Sequence, residues 1–282
     1  MDMETPQIAQ KPTIVTFIGA GNMARSLIVG LLNDNANVTL RVADPDQAQL
    51  DAIRQHFPQI STSTDNLQAM QGADVVVLAV KPQVMSEVAE GLAEQAQLSR
   101  PLFISIAAGI QEAALNRWLG GNLAIVRCMP NTPALVQTGA TGLYANEQVQ
   151  DKQRSQAESI LRAVGITLWF DDESKLDAVT AISGSGPAYF FLVMEAMQAA
   201  AEKMGVRAED AHLLIVQTAL GAARLALESN ELPAELRRKV TSKGGTTEAA
   251  IKVLSDGGLI TLFGHALQAA ESRSRELAAA NS

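Results

Sequence analysis

Short apolar segments alternate with helix-length amphipathic segments from Thr13 to about Phe170. The apolar segments are rich in valine and isoleucine, and most are apolar at consecutive positions. Strands of this kind are buried on both faces, which is typical of a parallel sheet with helices on both sides. The pattern predicts strands at 13–18, 38–44, 74–80, 102–108 and 123–129, and two further segments near 140–144 and 166–170 that extend the sheet.

Helical spacing replaces this pattern from about Asp171 onward, where we find no convincing strand. Two long segments are apolar nearly all round, and Gly205 between them is a helix stop signal. Such helices must be covered on more than one side. We expect self-association through them, with coverage by the first domain as the alternative. The apolar positions are Phe190, Val193, Met194, Met197, Ala201 and Met204 in the first segment and Leu213, Val216, Leu220, Ala223 and Leu227 in the second.

The two patterns predict a doubly wound α/β domain at 13–170 and an all-α dimerisation domain at 171–282. Two domains fit the chain length at about 150 residues each. Residues 1–12 are polar and acidic, so we expect a disordered lead-in without targeting function, and the cytoplasm as the location. The longest apolar stretch, 187–201, is interrupted by two polar residues and is interpreted as a buried helix, because a bilayer span needs about 20 mainly apolar residues.

Composition excludes several function classes. The formal net charge is −8 and no long basic run is present, which argues against a surface for nucleic acid or for anionic membranes. The single cysteine, Cys128, excludes an internal disulfide and fits a reducing compartment. The three histidines (His56, His212 and His265) have no metal-ligand spacing, so we expect no metal site.

A glycine-rich turn, FIGAGNMA at 17–24, follows the first predicted strand. It is the G-x-G-x-x-A form of the dinucleotide-binding fingerprint, and it lies between a strand and an amphipathic helix as that motif requires. Gly19 permits the tight turn, Gly21 lets the backbone approach a diphosphate, and Ala24 permits close packing of helix and strand. The first N–H groups of the helix then point at the phosphates. The sequence therefore predicts a Rossmann domain that binds a dinucleotide.

Further candidate cofactor contacts follow other predicted strands. Asp44 ends the second strand, where a carboxylate accepts hydrogen bonds from ribose hydroxyls and repels a 2′-phosphate, which favours NAD over NADP. A helix cap before Pro45 is the alternative role for Asp44. Lys81 and Pro82 are candidates for the nicotinamide ribose, or else a solvated lysine beside a helix-starting proline. Small residues at 107–109 leave room for a flat ring.

Two glycine-rich loops lie in the helical half. The loop at 244–247 opens a helix and presents backbone N–H groups and two hydroxyls, which could hold a carboxylate, although a well-capped helix is the alternative. SGSGPAY at 183–189 is a companion loop or a flexible junction. The dinucleotide fingerprint implies hydride chemistry, which the cofactor carries, and no Ser/His/Asp set or spaced carboxylate pair is present beside it. A cyclic imine, which is partly protonated in water, suits a site with only hydroxyls for acid catalysis.

In this order and spacing, six segments resemble the pyrroline-5-carboxylate reductase family, over essentially the whole chain from Thr13. The resemblance implies reduction of L-1-pyrroline-5-carboxylate to L-proline with NADPH or NADH, the last step of proline synthesis. It also implies a dimer with interlocked helical domains, often assembled into a decamer, in which each active site lies between one subunit's Rossmann domain and its partner's helices. The segments are FIGAGNMA, LAVKPQ, SIAAGI, RCMPNTPALVQTGAT (127–141), AVTAISGSGPAYFF (178–191) and TSKGGTTEAAIKVLSDGG (241–258).

The resemblance also implies roles for individual residues. The pyrophosphate would be held at the glycine turn by Gly19, Gly21, Asn22 and Met23. Asn66 lies where the family has an adenosine-side contact. The nicotinamide half would be bordered by Ala79, Val80, Lys81, Pro82 and Ala108. The substrate carboxylate and ring nitrogen would be held by Gly245, Thr246 and Thr247, with the Thr247 hydroxyl as hydrogen-bond partner or proton donor.

Two residues depart from the family pattern. Asp44 lies where NADPH-using members often have serine or a basic pair, so the choice between NADPH and NADH stays open. Lys243 lies where the S-P-G-G pattern has proline, which makes the loop looser or adds charge near an anionic ligand.

Two other functions are compatible with a dinucleotide-binding domain. A 3-hydroxyacid dehydrogenase of similar build needs a catalytic lysine in the first long helix of the second domain, and 187–204 has only Lys203, near its end. A non-catalytic dinucleotide sensor or scaffold would bind cofactor without oxidising NADH on any imine.

Overall fold

The amino-terminal part of the chain forms an eight-stranded sheet. The structure, a computed structural model, describes residues 11–34 and 37–281, so the lead-in expected at 1–12 lies almost entirely outside the described residues. Seven strands coincide with the predicted segments, whereas β3 was not predicted because its three residues are all serine or threonine. The strands are β1 (Thr13–Ile18), β2 (Val38–Ala43), β3 (Ser61–Ser63), β4 (Val75–Leu78), β5 (Leu102–Ser105), β6 (Ile125–Met129), β7 (Gly139–Ala145) and β8 (Gly165–Trp169).

The strand order is β3-β2-β1-β4-β5-β6-β7-β8. Strands β1 to β6 are mutually parallel. Strand β7 runs antiparallel to β6 and parallel to β8. The last two strands thus extend the sheet as expected, and they run opposite to β1 to β6, a direction that an apolar pattern does not encode. The ends of β1 to β6 form one edge, here called the carboxyl edge, where doubly wound sheets bind ligands.

Helices cover both faces of this sheet, as predicted for strands that are apolar on both sides. Val15 and Phe17 of β1 belong to one buried cluster, and Ile18 belongs to the cluster on the opposite face. The helices of this part are α1 (Asn22–Asn33), α2 (Gln47–His56), α3 (Asn66–Met70), α4 (Met85–Ser99), α5 (Glu112–Trp118), α6 (Asp151–Arg162) and α7 (Lys175–Val179).

Among the described residues, the chain after the last strand, which ends at Trp169, forms helices and turns and no strand, as the change of pattern at about 171 predicts. Gly205 has a φ of +87° and follows the end of α8, so it is the predicted helix stop. A π-helical turn at Thr180–Gly184 precedes α8. The helices are α8 (Gly186–Lys203), α9 (Ala208–Glu228), α10 (Pro233–Lys239), α11 (Thr246–Asp256) and α12 (Leu259–Ala280).

The chain divides into two compact units. The first unit, the sheet unit, runs to Gly184 and includes the residues from Ala270 onward; the second, the helical unit, is Ser185–Ala269. The division therefore falls later in the chain than the predicted boundary after residue 170. Residues beyond the last strand belong to the sheet unit because α7 packs there: Leu176 and Val179 face Gly142 of β7.

The helices of the helical unit leave most of their apolar side chains uncovered within the chain. Gly186 is the buried residue of α8, and Phe190 is 68% exposed. Leu213 of α9 is 69% exposed. The expectation of a buried helix at 187–201 is thus wrong for the single chain, and the helical stretch Lys175–Lys203 is even long and apolar enough to cross a membrane by length and composition. Apolar surface on this scale requires a partner.

Candidate active site

The glycine turn predicted to bind a diphosphate joins β1 to α1. Gly19 has a φ of +105°, and an added Cβ would lie 2.6 Å from the carbonyl oxygen of Ala79, so this glycine is required by the fold. Gly21 is the N-cap of α1, and no side chain caps this helix. An added Cβ at Gly21 would meet nothing within 4 Å. The space in front of the helix N-terminus therefore fits a group that approaches the backbone closely, as a diphosphate does.

Two charged side chains hold the middle residue of this turn. The N–H of Ala20 donates to the Asp44 carboxylate over 2.8 Å, and the carbonyl oxygen of Ala20 accepts from Nε of Arg25 over 3.1 Å. Arg25 also reaches the Gln49 side-chain oxygen on α2 at 2.5 Å. The turn is thus fixed from both sides before any ligand binds, which lowers the cost of ordering it on binding.

The Asp44 carboxylate binds backbone N–H groups, in addition to its predicted contact with a ribose. Its second carboxylate oxygen accepts from the N–H of Asp46 over 2.9 Å. The N-cap of α2 is Asp46, whose side chain accepts from the N–H of Ala48. The alternative role of Asp44 as the helix cap is therefore wrong, because the cap is Asp46, two residues later. Each carboxylate oxygen accepts one bond and has a second lone pair, so contact with a ribose hydroxyl stays possible.

The candidate nicotinamide residues leave β4 and β5 at the carboxyl edge. The N–H of Ala79 donates to the carbonyl oxygen of Ile18 over 2.8 Å, which joins this segment to the end of β1. Lys81 is exposed and precedes the short turn that begins at Pro82. Ala108 is also exposed, beside Gly109 with a φ of +71°. The structure thus places the loops that contain Gly19 to Met23, Ala79 to Pro82 and Ala108 at one edge of the sheet, as predicted.

Asn66 lies further along the same edge, at the start of α3. The helix is capped by Asp65, whose carboxylate accepts from the N–H groups of Leu67 and Gln68. Asn66 and Leu67 line a surface cavity of about 390 Å³ together with Glu87 and Val88 of α4. Asn66 is half-buried, so its amide is available to this cavity, where the resemblance implies an adenosine contact.

The second predicted glycine site lies in the helical unit, at the N-terminus of α11. Gly244 has a φ of +72°, and Gly245 is the N-cap without a side-chain capping bond. Thr246 and Thr247 are the first two helical residues, and Thr247 is half-buried whereas Thr246 is exposed. The geometry is that of an uncapped helix N-terminus flanked by two hydroxyls, which fits an anion such as a carboxylate.

One acidic side chain already occupies part of this loop. The N–H of Gly244 donates to the Glu248 carboxylate over 2.7 Å, and the N–H of Gly245 donates to the carbonyl oxygen of Ser242 over 3.1 Å. These two bonds fix the turn before the helix and leave the N–H groups that follow, at Thr246 and Thr247, as candidates to bind a ligand. Lys243 is exposed beside this turn and adds a positive charge in the loop.

Other catalytic groups are excluded within the described residues. Burial raises the pKa of the Cys128 thiol far above its ordinary value, so this cysteine is not a nucleophile. Among residues 11–34 and 37–281, no cluster of three metal-ligating side chains is present. Lys203 lies in the last turn of α8, at the wrong end for the catalytic lysine of a 3-hydroxyacid dehydrogenase.

Sequence reasoning missed two polar residues near this edge. Arg25 follows the fingerprint directly. Its position four residues after Gly21, one turn into α1, was the available signal that its side chain lies near the glycine turn. Asn131 lies two residues after β6 and is 9% exposed. A polar residue directly after a buried strand, in the segment M-P-N-T-P, was the available signal for it.

Comparison with known proteins extends over the whole chain. Residues 173–277 match the family model described as pyrroline-5-carboxylate reductase dimerisation. Residues 14–109 match the model described as NADP oxidoreductase, coenzyme F420-dependent. A pyrroline-5-carboxylate reductase of Pseudomonas aeruginosa is 54% identical over 277 residues, which are 98% of each chain. One from Haemophilus influenzae is 43% identical over 94% of this chain and 97% of the relative.

Solved structures show the same similarity. A pyrroline-5-carboxylate reductase from Coxiella burnetii superposes with a TM-score of 0.90 at 47% identity, covering 95% of this chain and 99% of the other. A Plasmodium falciparum pyrroline carboxylate reductase with NADP bound superposes with a TM-score of 0.82 at 27% identity, covering 96% and 100%. The matched regions include both the glycine turn of the sheet unit and the glycine loop of the helical unit.

Proposed function

Because the chain belongs to the pyrroline-5-carboxylate reductase family, we propose that it reduces L-1-pyrroline-5-carboxylate to L-proline with NADPH or NADH, the last step of proline synthesis. The observation that supports this most directly is that each unit has a glycine-rich turn that leads into a helix without a side-chain cap, after Gly21 in the sheet unit and after Gly245 in the helical unit. The first suits the diphosphate of a dinucleotide, and the second suits the carboxylate of an amino-acid-like substrate.

The sheet unit would hold the cofactor along its carboxyl edge. NAD(P)H, when bound, supplies the hydride that reduces the C=N bond of the imine. The N–H groups of Asn22 and Met23 would bind the diphosphate, Asn66 the adenosine side, and Asp44 a ribose hydroxyl. The nicotinamide half would lie among Ala79, Val80, Lys81, Pro82 and Ala108. Small side chains there leave one face of the ring open to substrate.

The helical unit would hold the substrate. The N–H groups at Thr246 and Thr247 bind the carboxylate, and the loop of Gly245 leaves room for the ring. The Thr247 hydroxyl bonds the ring nitrogen. The nitrogen takes one proton from water, before or during the transfer of hydride to the imine carbon, so that the product is a secondary amine. No strong acid is needed, since the imine nitrogen is already partly protonated in water. Catalysis is therefore mainly proximity and orientation.

Initial rates of NADH and NADPH oxidation with L-1-pyrroline-5-carboxylate test this function, with mass-spectrometric identification of L-proline as product. The expected result is imine-dependent oxidation of at least one cofactor. Cofactor binding without oxidation would instead support a sensor, and reduction of NAD(P)+ by a 3-hydroxyacid would support the dehydrogenase alternative.

Replacing Asp44 by serine is expected to shift cofactor preference. The Asp44 carboxylate repels a 2′-phosphate, so the unmodified protein should favour NADH, and Asp44→Ser should raise the NADPH/NADH ratio of kcat/KM by about tenfold, as expected for loss of about one close charge repulsion. Asp46→Ser is the matched control, because it removes the same charge two residues away and keeps a good helix cap. Strong NADPH preference in the unmodified protein would contradict the ribose role of Asp44.

Self-association through the helical unit accounts for its exposed apolar side chains. We propose further that the dimers assemble into a decamer, and that the partner subunit contributes the Gly245–Thr247 loop to each site. Coexpression of Gly21→Val subunits with Thr247→Ala subunits tests the shared site. In a random mixture of symmetric dimers, about a quarter of normal activity should return. No recovery would place each site within one subunit, and light scattering of the purified protein gives the subunit number.

A further inference from the structure

A buried asparagine connects the end of β6 to the segment that leads into α8. The Asn131 side chain is 9% exposed, and its amide nitrogen donates to the carbonyl oxygen of Ser183 over 3.0 Å. Its amide oxygen accepts from the N–H of Ala140 on β7 over 2.9 Å. Both ends of the amide are therefore used, by backbone groups that lie far from Asn131 in the sequence.

The carbonyl oxygen of Ser183 needs such a donor because of the proline that follows. In a continuous α-helix this oxygen would accept from the N–H of residue 187, and Pro187 has no N–H. Ser183 is half-buried, and a carbonyl oxygen that is shielded from water and has no hydrogen-bond partner destabilises the conformation in which it lies. The Asn131 amide supplies the missing donor, and so it stabilises the chain in the shape that Pro187 imposes.

The segment that Asn131 holds is the π-helical turn Thr180–Gly184. The hydroxyls of Thr180 and Ser183 donate to the carbonyl oxygens of Leu176 and Val179, over 2.7 Å and 3.0 Å. An added Cβ at Gly184 would lie 2.7 Å from the methyl carbon of Met129 at the end of β6. Turns of this kind are uncommon in helices and are frequent at functional sites.

This turn lies beside the edge of the sheet that is proposed to hold the cofactor. Strand β6 is parallel to β5, so Met129 and Asn131 leave the sheet at the same edge as the loop that contains Ala108. The backbone of Ser183 and Gly184 is fixed at that edge by the two contacts from the end of β6. The chain then continues into Ser185, Gly186 and Pro187, where α8 begins.

We propose that Asn131 is a positioning residue for the reduction: its amide holds the turn at 180–184 so that the glycine-serine segment at 183–186 borders the substrate at the nicotinamide end of the cofactor. The inference rests on the proposed function. The hydrogen bonds of the Asn131 amide go to Ser183 and Ala140 and not to the diphosphate turn or Asp44, so we expect it to act on the substrate step and to leave cofactor binding nearly unchanged. A misplacement of about 1 Å at a reacting centre can lower turnover by about 100-fold.

Asn131→Asp tests this role selectively. Aspartate keeps an acceptor for the N–H of Ala140 and replaces the donor to Ser183 by a second acceptor. Asn146→Asp is the control, because Asn146 is also buried and its amide binds the N–H of Ile125 and the carbonyl oxygen of Leu123 at the start of β6. Its amide nitrogen also donates to the Glu112 carboxylate over 2.6 Å, so the new aspartate faces a like charge and the stability loss should be at least as large as in Asn131→Asp. Both variants lose a buried amide donor, but only the donor of Asn131 faces the turn at 180–184.

Four measurements are made on each variant: kcat and KM for the imine, the dissociation constant of NADPH from its fluorescence, the unfolding temperature, and hydrogen exchange of residues 180–186. For Asn131→Asp we expect kcat/KM to fall by about 10- to 100-fold, an NADPH dissociation constant within about twofold, and faster exchange in the turn. For Asn146→Asp we expect a lower unfolding temperature with kcat/KM nearly unchanged.

Equal losses of kcat/KM in the two variants, or faster exchange in the turn without a loss of turnover, would overturn the proposal, because either result leaves Asn131 a purely structural role. If the unmodified protein does not reduce the imine, the proposed function itself fails, and the positioning role for this reaction fails with it. Hydrogen exchange then still decides whether Asn131 holds the turn, so the two failures are distinguished.

Discussion

Gly21→Val is expected to weaken the binding of NADPH and NADH strongly while the protein stays folded. The glycine has a φ of −67° and a ψ of 176°, which any residue adopts, and an added Cβ meets no atom of the chain within 4 Å. The valine side chain therefore extends into the space in front of α1, where the diphosphate would approach the backbone. We expect the cofactor dissociation constant to rise by about 100-fold or more, which corresponds to about 2.7 kcal/mol.

A neighbouring glycine provides the contrast that makes this result interpretable. Gly19→Ala places a Cβ 2.6 Å from a carbonyl oxygen, at a φ of +105°, so it should lower the unfolding temperature and cofactor binding together. Gly21→Val should lower cofactor binding alone, measured by NADPH fluorescence and thermal unfolding without ligand. Normal cofactor affinity in Gly21→Val would show that the diphosphate does not approach this turn.

The strands that could be predicted from the sequence are those in which buried positions are filled by apolar residues. Strand β1 was predicted with its observed bounds because four of its six residues are apolar, on both faces of the strand, and the residues from Val15 to Ile18 are buried. Strand β3 was missed because Ser61–Ser63 lies at the edge of the sheet and has no apolar side chain. The sequence did not predict that β7 runs antiparallel to β6, because the pattern of apolar and polar residues along a strand is the same in either direction.

The chemistry of individual site residues depended on contacts between distant parts of the chain. The sequence predicted Asp44 at the end of β2, but not that its carboxylate would accept from the N–H of Ala20. Asn131 and Ser183 are 52 residues apart, and no local pattern links them. Sequence periodicity showed that α8 must be covered and predicted self-association, and coverage by the first domain was the alternative that exposed residues such as Phe190 exclude.

Thr247→Ala is expected to lower kcat strongly while cofactor affinity stays unchanged. The Thr247 hydroxyl is proposed to bond the ring nitrogen, whose charge changes during the reaction, whereas the carboxylate is bound by backbone N–H groups that the substitution leaves in place. Loss of one such hydrogen bond, in a substrate that is partly protonated already, should lower kcat by about 10- to 100-fold. KM for the imine should change less than kcat, and Thr247→Ser should restore most of the activity because it restores the hydroxyl.

The pH dependence of this loss separates a hydrogen-bonding role from a merely structural one. At low pH the imine nitrogen is protonated by water, so the hydroxyl contributes least and Thr247→Ala should approach the unmodified rate. As pH rises, the neutral imine predominates and depends more on a proton or hydrogen bond from Thr247, so the ratio of the two rates should widen. Turnover of Thr247→Ala equal to that of the unmodified protein at all pH values would remove this hydroxyl from the mechanism. A loss that is constant with pH would instead assign it to the shape of the α11 N-terminus, where the backbone N–H groups bind the carboxylate.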